Sequence, residues 1–246
     1  MAVSQALLYS SGEAADKLEA LLHESGIEPT TRIAQARASL AATVAEEAEA
    51  LAEIDQHRPM DSEAMSALAA AVADGSISTG DAVAQIRRTE DRELRRLQNK
   101  LTFVYSKRAD RILRNLGNAL IADILAPWAD RIVSELVEPA AVVVEHGPHA
   151  AVHDDKHKAA YDRAEKLVAE LHTIYAHANQ LRGREVLSPL ADGYDPRLLA
   201  FKAPHRLAEE EKAVRETWWM AFAVVNGAGP IIRSSYEAEA AAKIVA

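Results

Sequence analysis

Residues 78–126 read STGDAVAQIRRTEDRELRRLQNKLTFVYSKRADRILRNLGNALIADILA, and this stretch decides the fold. Val83, Ile86, Leu94, Leu97, Leu101, Val104, Ile112, Leu116, Leu120 and Ile124 recur mostly three or four residues apart, the spacing of one face of an α-helix. Ser78 and Asp81 stand at capping-box spacing, where each side chain satisfies a backbone donor of the first turn. No proline interrupts before Pro127, and Gly117 weakens the run by only about 1 kcal/mol relative to alanine. The spacing therefore predicts one helix over about 79–126, roughly 70 Å long at 1.5 Å per residue. A compact sphere of this chain length would be about 45–50 Å across. The expected fold is all-α, an elongated multi-helix bundle organised around that helix.

The opposite face of the same helix is basic. Arg88, Arg92, Arg95, Arg96, Lys100, Lys107, Arg111 and Arg114 share one half of the helical wheel. Between Arg87 and Arg114 ten basic residues outnumber four acidic ones, whereas the whole chain carries a net charge of −9. Such a face can neutralise nucleic-acid phosphates. It can equally pair with acidic helices, which this chain supplies at Glu46, Glu47, Glu49 and Glu53 and again at Glu209, Glu210 and Glu211. Glu90, Asp91 and Glu93 also dilute the positive field, so a solvated or internally paired face is the plainer reading.

Composition narrows the function classes. The chain has no cysteine, which removes disulfides, thiol catalysis and cysteine-based metal sites. It is rich in alanine and glutamate and poor in aromatics and glycine, a helix-forming mixture. The acidic balance argues against general polyanion binding. MAVSQALLYSSGEAADK lacks the basic region and apolar core of a signal peptide, and the longest apolar run, Trp218 to Val225, is too short to span a bilayer. The expected setting is the cytoplasm, or a virion or particle assembled there, with no membrane association.

Outside the long helix, local signals mark the other elements. Ser10 and Glu13 cap a first helix that Gly26 and Pro29 end. A second runs from about Thr30 to His57, with Ile33, Leu40, Val44, Leu51 and Ile54 at coiled-coil-like spacing and Arg37 and Glu47 at two further seam positions. A short helix is expected over 61–74. Its closing Asp74-Gly75 is no calcium loop, because Ala70 and Val72 would occupy ligand positions. Pro127 opens a helix carrying Trp128, and 137–147 reads as a helix end or a short extended segment. A further helix over about 155–181 stops at Gly183, and Asp195-Pro196 begins a short one. A last substantial helix runs from Pro204 to Asn226, and Ser234 with Glu237 caps a loosely attached terminal one. The expected domains are a hairpin at 1–60, the central helices at 61–146, and a C-terminal helical region at 147–246 beyond a His-rich linker.

That linker, EHGPHAAVHDDKHK, contains the one constellation that could hold a metal. His149, His153 and His157 would stack on a helix at four-residue steps, but no carboxylate stands at zinc-enzyme spacing. They are weak metal candidates, and the expected cofactor set is empty. TWWMAFAVV at the end of the penultimate helix is apolar nearly all round, so Trp218, Trp219 and Phe222 either fill the core or anchor a protein interface. There is no P-loop, nucleophile elbow, dinucleotide fingerprint or E-x-x-H pair. The expectation is a non-enzymatic structural or assembly protein of bacterial or phage particle type. It would form homo-oligomers or larger assemblies with protein partners through helical faces. A nucleic-acid-associated protein using the basic face is the alternative.

Overall fold

The computed structural model describes residues 9–56, 77–147, 155–207 and 216–245, with 77–91 described as helix backbone only. The chain is an all-α multi-helix bundle, and no strand occurs among the described residues. Helices α1 (Ser11–Ser25), α2 (Thr31–Gln56) and α3 (Ile77–Leu116) are followed by a short helix, Asn118–Leu120. Then come a π-helical turn, Ile121–Leu125, and helices α4 (Ala126–Glu145), α5 (Asp155–Gly183), α6 (Glu216–Val225) and α7 (Ser235–Val245). Two 3-10 turns, Pro196–Leu199 and Pro204–Arg206, lie between α5 and α6. The expected helix over 61–74 and the start of the expected 204–226 helix beyond Leu207 lie outside the described residues. Ser78 falls inside the first turn of α3 and not at its cap.

The long helix ends earlier than its periodicity predicts, and the cause is Gly117. Its φ is +44°, in the left-handed region, and an added Cβ would sit 3.2 Å from the Arg114 carbonyl oxygen. A backbone that turns there costs an L-residue strain that glycine escapes, so α3 stops at Leu116. Pro127, expected to mark the break, does not break anything. It lies in the first turn of α4, just after the π-helical turn, where bonds reach back five residues and the widened backbone makes room for a ring that would otherwise meet a carbonyl four residues earlier. Nor is 137–147 extended: α4 passes through Pro139 to Glu145. Leu136, Pro139, Ala140 and Val143 are buried together there, and that packing offsets the hydrogen bond the proline cannot make.

The chain divides into two compact units, one of 1–7, 17–36 and 113–246, the other of 8–16 and 37–112. In the first, α4 packs against α5 and α6. The α5 stripe Ala164, Leu167, Leu171, Ile174, Ala178 and Leu181 is buried as its spacing predicts, and Trp128 fills the space beside it. Trp128 Nε1–H donates to Glu170 Oε1 at 2.7 Å, which satisfies the indole at the edge of the core. Helix α7 is better anchored than expected: Ser234 and Glu237 exchange backbone bonds of 2.8 and 3.2 Å, Ala238 is fully buried, and the Ser235 hydroxyl donates to the Ser188 carbonyl.

The second unit has a different interior. The Ser10–Glu13 capping box forms, with bonds of 2.9 and 3.1 Å, and opens α1. Glu46 pairs with Arg108, and further along α2 Asp55 accepts from Gln98 on an earlier turn of α3, so the two helices run antiparallel. The buried side of α2 is Leu40, Thr43, Glu47 and Ile54, while Val44 and Leu51 are half-buried and Arg37 is exposed. On the part of α3 that belongs to this unit the buried positions are Ser106, Ala109 and Asp110. The register set by the two cross-helix pairs brings Thr43 level with Asp110, and Glu47 level with Ser106. Thr43 and Ser106 bond the carbonyls four residues back, and Ser11 donates a short bond to Glu47. A polar layer therefore runs through the seam between α2 and α3.

Candidate functional site

Leu97, Phe103 and Val104 are 45, 52 and 58% exposed. Leu97 and Val104 belong to the α3 stripe expected to be buried, whereas Leu94, Leu101 and Ile112 from that stripe are half-buried. At 100° per residue the three exposed side chains fall on an arc of about 120°, and Arg96, Lys100, Lys107 and Arg111 fall on the same arc. Glu93 pairs with Arg96 on it, and Lys107 Nζ stands 4.5 Å from the centre of the Phe103 ring. The arrangement is three exposed apolar side chains with cations interspersed among them on a single helical face. Exposed apolar side chains are ordinary when scattered, but contiguous ones rimmed by charge mark interaction surfaces.

The residues proposed for nucleic-acid contact do not form one open surface. Arg92, Arg95, Arg96, Lys100, Lys107 and Arg111 are exposed, but Arg114 is half-buried and pairs with Glu185 at 3.1 Å. Arg88 lies on the helix where only the backbone is described.

Trp218, Trp219 and Phe222 are half-buried. Trp219 meets Phe201 edge-on at 5.5 Å between ring centres, and Trp218 stacks on Phe222 at 5.2 Å. The Trp219–Phe201 contact ties α6 to the segment after α5. Both indole Nε1 atoms are buried without an acceptor among the described residues.

His149 and His153 lie outside the described residues. His157, at the start of α5, meets His146 at the end of α4, their ring centres 3.3 Å apart and tilted by 44°. His146 Nδ1 is 3.1 Å from the Val142 carbonyl oxygen, which assigns the proton to that nitrogen. Among the described residues no group of three or more His, Asp or Glu side chains is arranged to hold a metal ion.

A more ordered constellation lies elsewhere in the first unit, between α1 and α5. Lys17 on α1 directs Nζ at His177 Nδ1 on α5, at 2.6 Å, and at Gln180 Oε1, at 2.7 Å. His177 Nε2 in turn lies 2.8 Å from Glu24 Oε2. The carboxylate calls for a proton on Nε2, which leaves the Nδ1 lone pair to accept from the lysine. The imidazole is 12% exposed and has the Trp128 ring 6.2 Å away. Burial pushes the Lys17 ammonium below its ordinary pKa, and the Glu24 charge opposes that shift. Nothing local could have revealed the set, because Lys17 and His177 are 160 residues apart.

An open cavity of about 600 Å³ is lined by Tyr194, Asp195, Arg197, Leu198, Lys202 and Lys243, among others. Arg197 is engaged there by Asp195 at 2.8 Å, which holds the carboxyl below its ordinary value, chiefly through the hydrogen bond. Among the described residues no helix is long and apolar enough to cross a membrane. No protein-family model, curated protein or solved structure matches the chain.

Proposed function

We propose that this is a non-enzymatic structural or assembly protein, of bacterial or phage particle type, that associates with copies of itself through α3. One observation carries the reading: Leu97, Phe103 and Val104 stand half-exposed beside Arg96, Lys100, Lys107 and Arg111 on one helical face. Covering three such side chains is worth about 25 cal/mol for each Å² removed from water, which rewards a partner helix with an apolar strip. The cations select an acidic rim on that partner, and exposed Glu46, Glu49 and Glu53 on α2 supply one in the same chain.

The alternative, nucleic-acid association through the basic face, draws on the same exposed cations. Phosphates have no use for Leu97 and Val104, and Arg96 and Arg114 already hold carboxylates. Light scattering on untagged protein at low and high salt, with absorbance at 260 and 280 nm, separates the two. Assembly predicts a multimer that Leu97→Ser, Phe103→Ser and Val104→Ser together convert to monomer. A wild-type monomer at every concentration, or a triple variant as multimeric as wild type, would sink it. Nucleic acid that co-purifies and is stripped by salt would favour the alternative.

A further inference from the structure

Lys17, His177 and Glu24 form a carboxylate–imidazole–amine chain, the order in which an acid group orients a base and the base activates a nucleophile. We propose that Lys17 is an activated amine nucleophile that captures small aldehydes as an imine, with His177 moving the protons and Glu24 positioning His177. This site lies in the first unit and stands independently of the docking face on α3.

Three features of the geometry carry the inference. The amine sits at hydrogen-bond reach of an unprotonated imidazole nitrogen, so its proton has a place to go. Gln180 Oε1 is the second acceptor, and it holds Nζ in place while the proton leaves. The imidazolium that forms is stabilised by Glu24 on its far side, and His177 is 12% exposed. Partial burial of the ammonium works in the same direction by favouring the neutral amine. The charged and titratable groups around this centre are Glu24 on α1, His177 on α5, and the Glu170–Arg131 pair, 3.6 Å apart, beyond Trp128.

The chemistry balances without a further reactant. His177 takes a proton from the Lys17 ammonium, and the nitrogen lone pair forms a bond to the aldehyde carbon. The carbonyl π pair moves to oxygen, which is protonated as the nitrogen gives up a proton, and the product is a neutral carbinolamine. The hydroxyl then leaves as water with a proton from the imidazolium, the nitrogen lone pair closes the C=N bond, and a last proton returns to His177. Amine and aldehyde become imine and water.

The test is reductive labelling of the full-length, untagged protein with limiting propanal and sodium cyanoborohydride, followed by peptide mapping. Lys17 should be modified about tenfold or more faster than the exposed Lys202 and Lys243, since general-base assistance at this distance gives at least that factor. In His177→Gln its rate should fall to theirs. In Glu24→Gln, which alters a half-exposed carboxylate and leaves the core intact, the rate should fall partway while its rise with pH moves to lower pH, because the Glu24 charge holds the proton on Lys17. A purely structural clamp would not make the amine react more slowly while leaving more of it unprotonated. Wild-type Lys17 that reacts no faster than Lys202 and Lys243 overturns the proposal. So does a Glu24→Gln protein whose Lys17 rate and pH profile match wild type.

Discussion

The two units of this chain are built on opposite principles. The first has an interior of Leu, Ile, Ala and Trp128, closed on all sides by α4, α5 and α6. The second places Thr43, Glu47, Ser106 and Asp110 in its buried seam and leaves Leu97, Phe103 and Val104 outside. Part of its buried seam is polar, and some of its large apolar side chains are exposed. A unit organised in that way gains little stability from burial and much definition from hydrogen bonding. The contrast teaches where to look for association: the exposed Val137, Val225 and Tyr236 of the first unit stand on three different helices, whereas the three exposed side chains of the second share one helical face.

The largest break in this comparison should come from the core of the first unit. Leu171→Ala removes a fully buried side chain and should cost about 2–5 kcal/mol, read as a lower urea midpoint. A loss below ~1 kcal/mol would mean that the α4–α5 contact is looser than described. Next is Gly117→Ala, where a left-handed backbone and a 3.2 Å approach to a carbonyl should together cost about 1–3 kcal/mol. If this variant is as stable as wild type, α3 does not end for the reason given above.

The second unit should respond in the opposite sense. Phe103→Ser and Val104→Ser, each on an exposed side chain, should alter monomer stability by no more than about 0.5 kcal/mol while they weaken self-association. A large drop in the monomer's own urea midpoint would show that these residues belong to a core after all. The smallest effect belongs to Asp195→Asn. Asp195 is partly exposed and its pairing with Arg197 is screened by water, so the change should cost under ~1 kcal/mol at neutral pH. Its folded pKa is depressed below 3.8, so the contribution is present above that value and vanishes as the pH falls through the folded one. Acid titration of the variant and wild type should therefore converge at low pH.

Legibility in the sequence followed the range of the interaction. The Ser10–Glu13 and Ser234–Glu237 boxes and the Asp195 cap are set by side chains that reach two or three residues, and all three formed as read. The α5 stripe was equally plain, because its period is intrinsic to the helix. Gly117 and Pro127 were ranked in the wrong order, since proline's local penalty is larger but a π-helical turn can absorb it, and a positive φ cannot be seen in a residue list. Exposure of Leu97 and Val104 was hidden because periodicity names a helical face without naming what covers it. Lys17 and His177 meet only through the packing of α1 on α5, so no spacing rule could have joined them.

The polar layer in the second unit also acts as a ruler. Thr43 and Glu47 stand four residues apart on α2, as do Ser106 and Asp110 on α3, so a slide of one turn is the natural error for this helix pair. In one direction that slide would carry Glu47 level with Asp110 and set two carboxylates side by side away from water, which is strongly repulsive. The carboxylates oppose that shift. Two helices pulled apart during synthesis or exchange between copies would therefore return to a single setting, counted in whole turns.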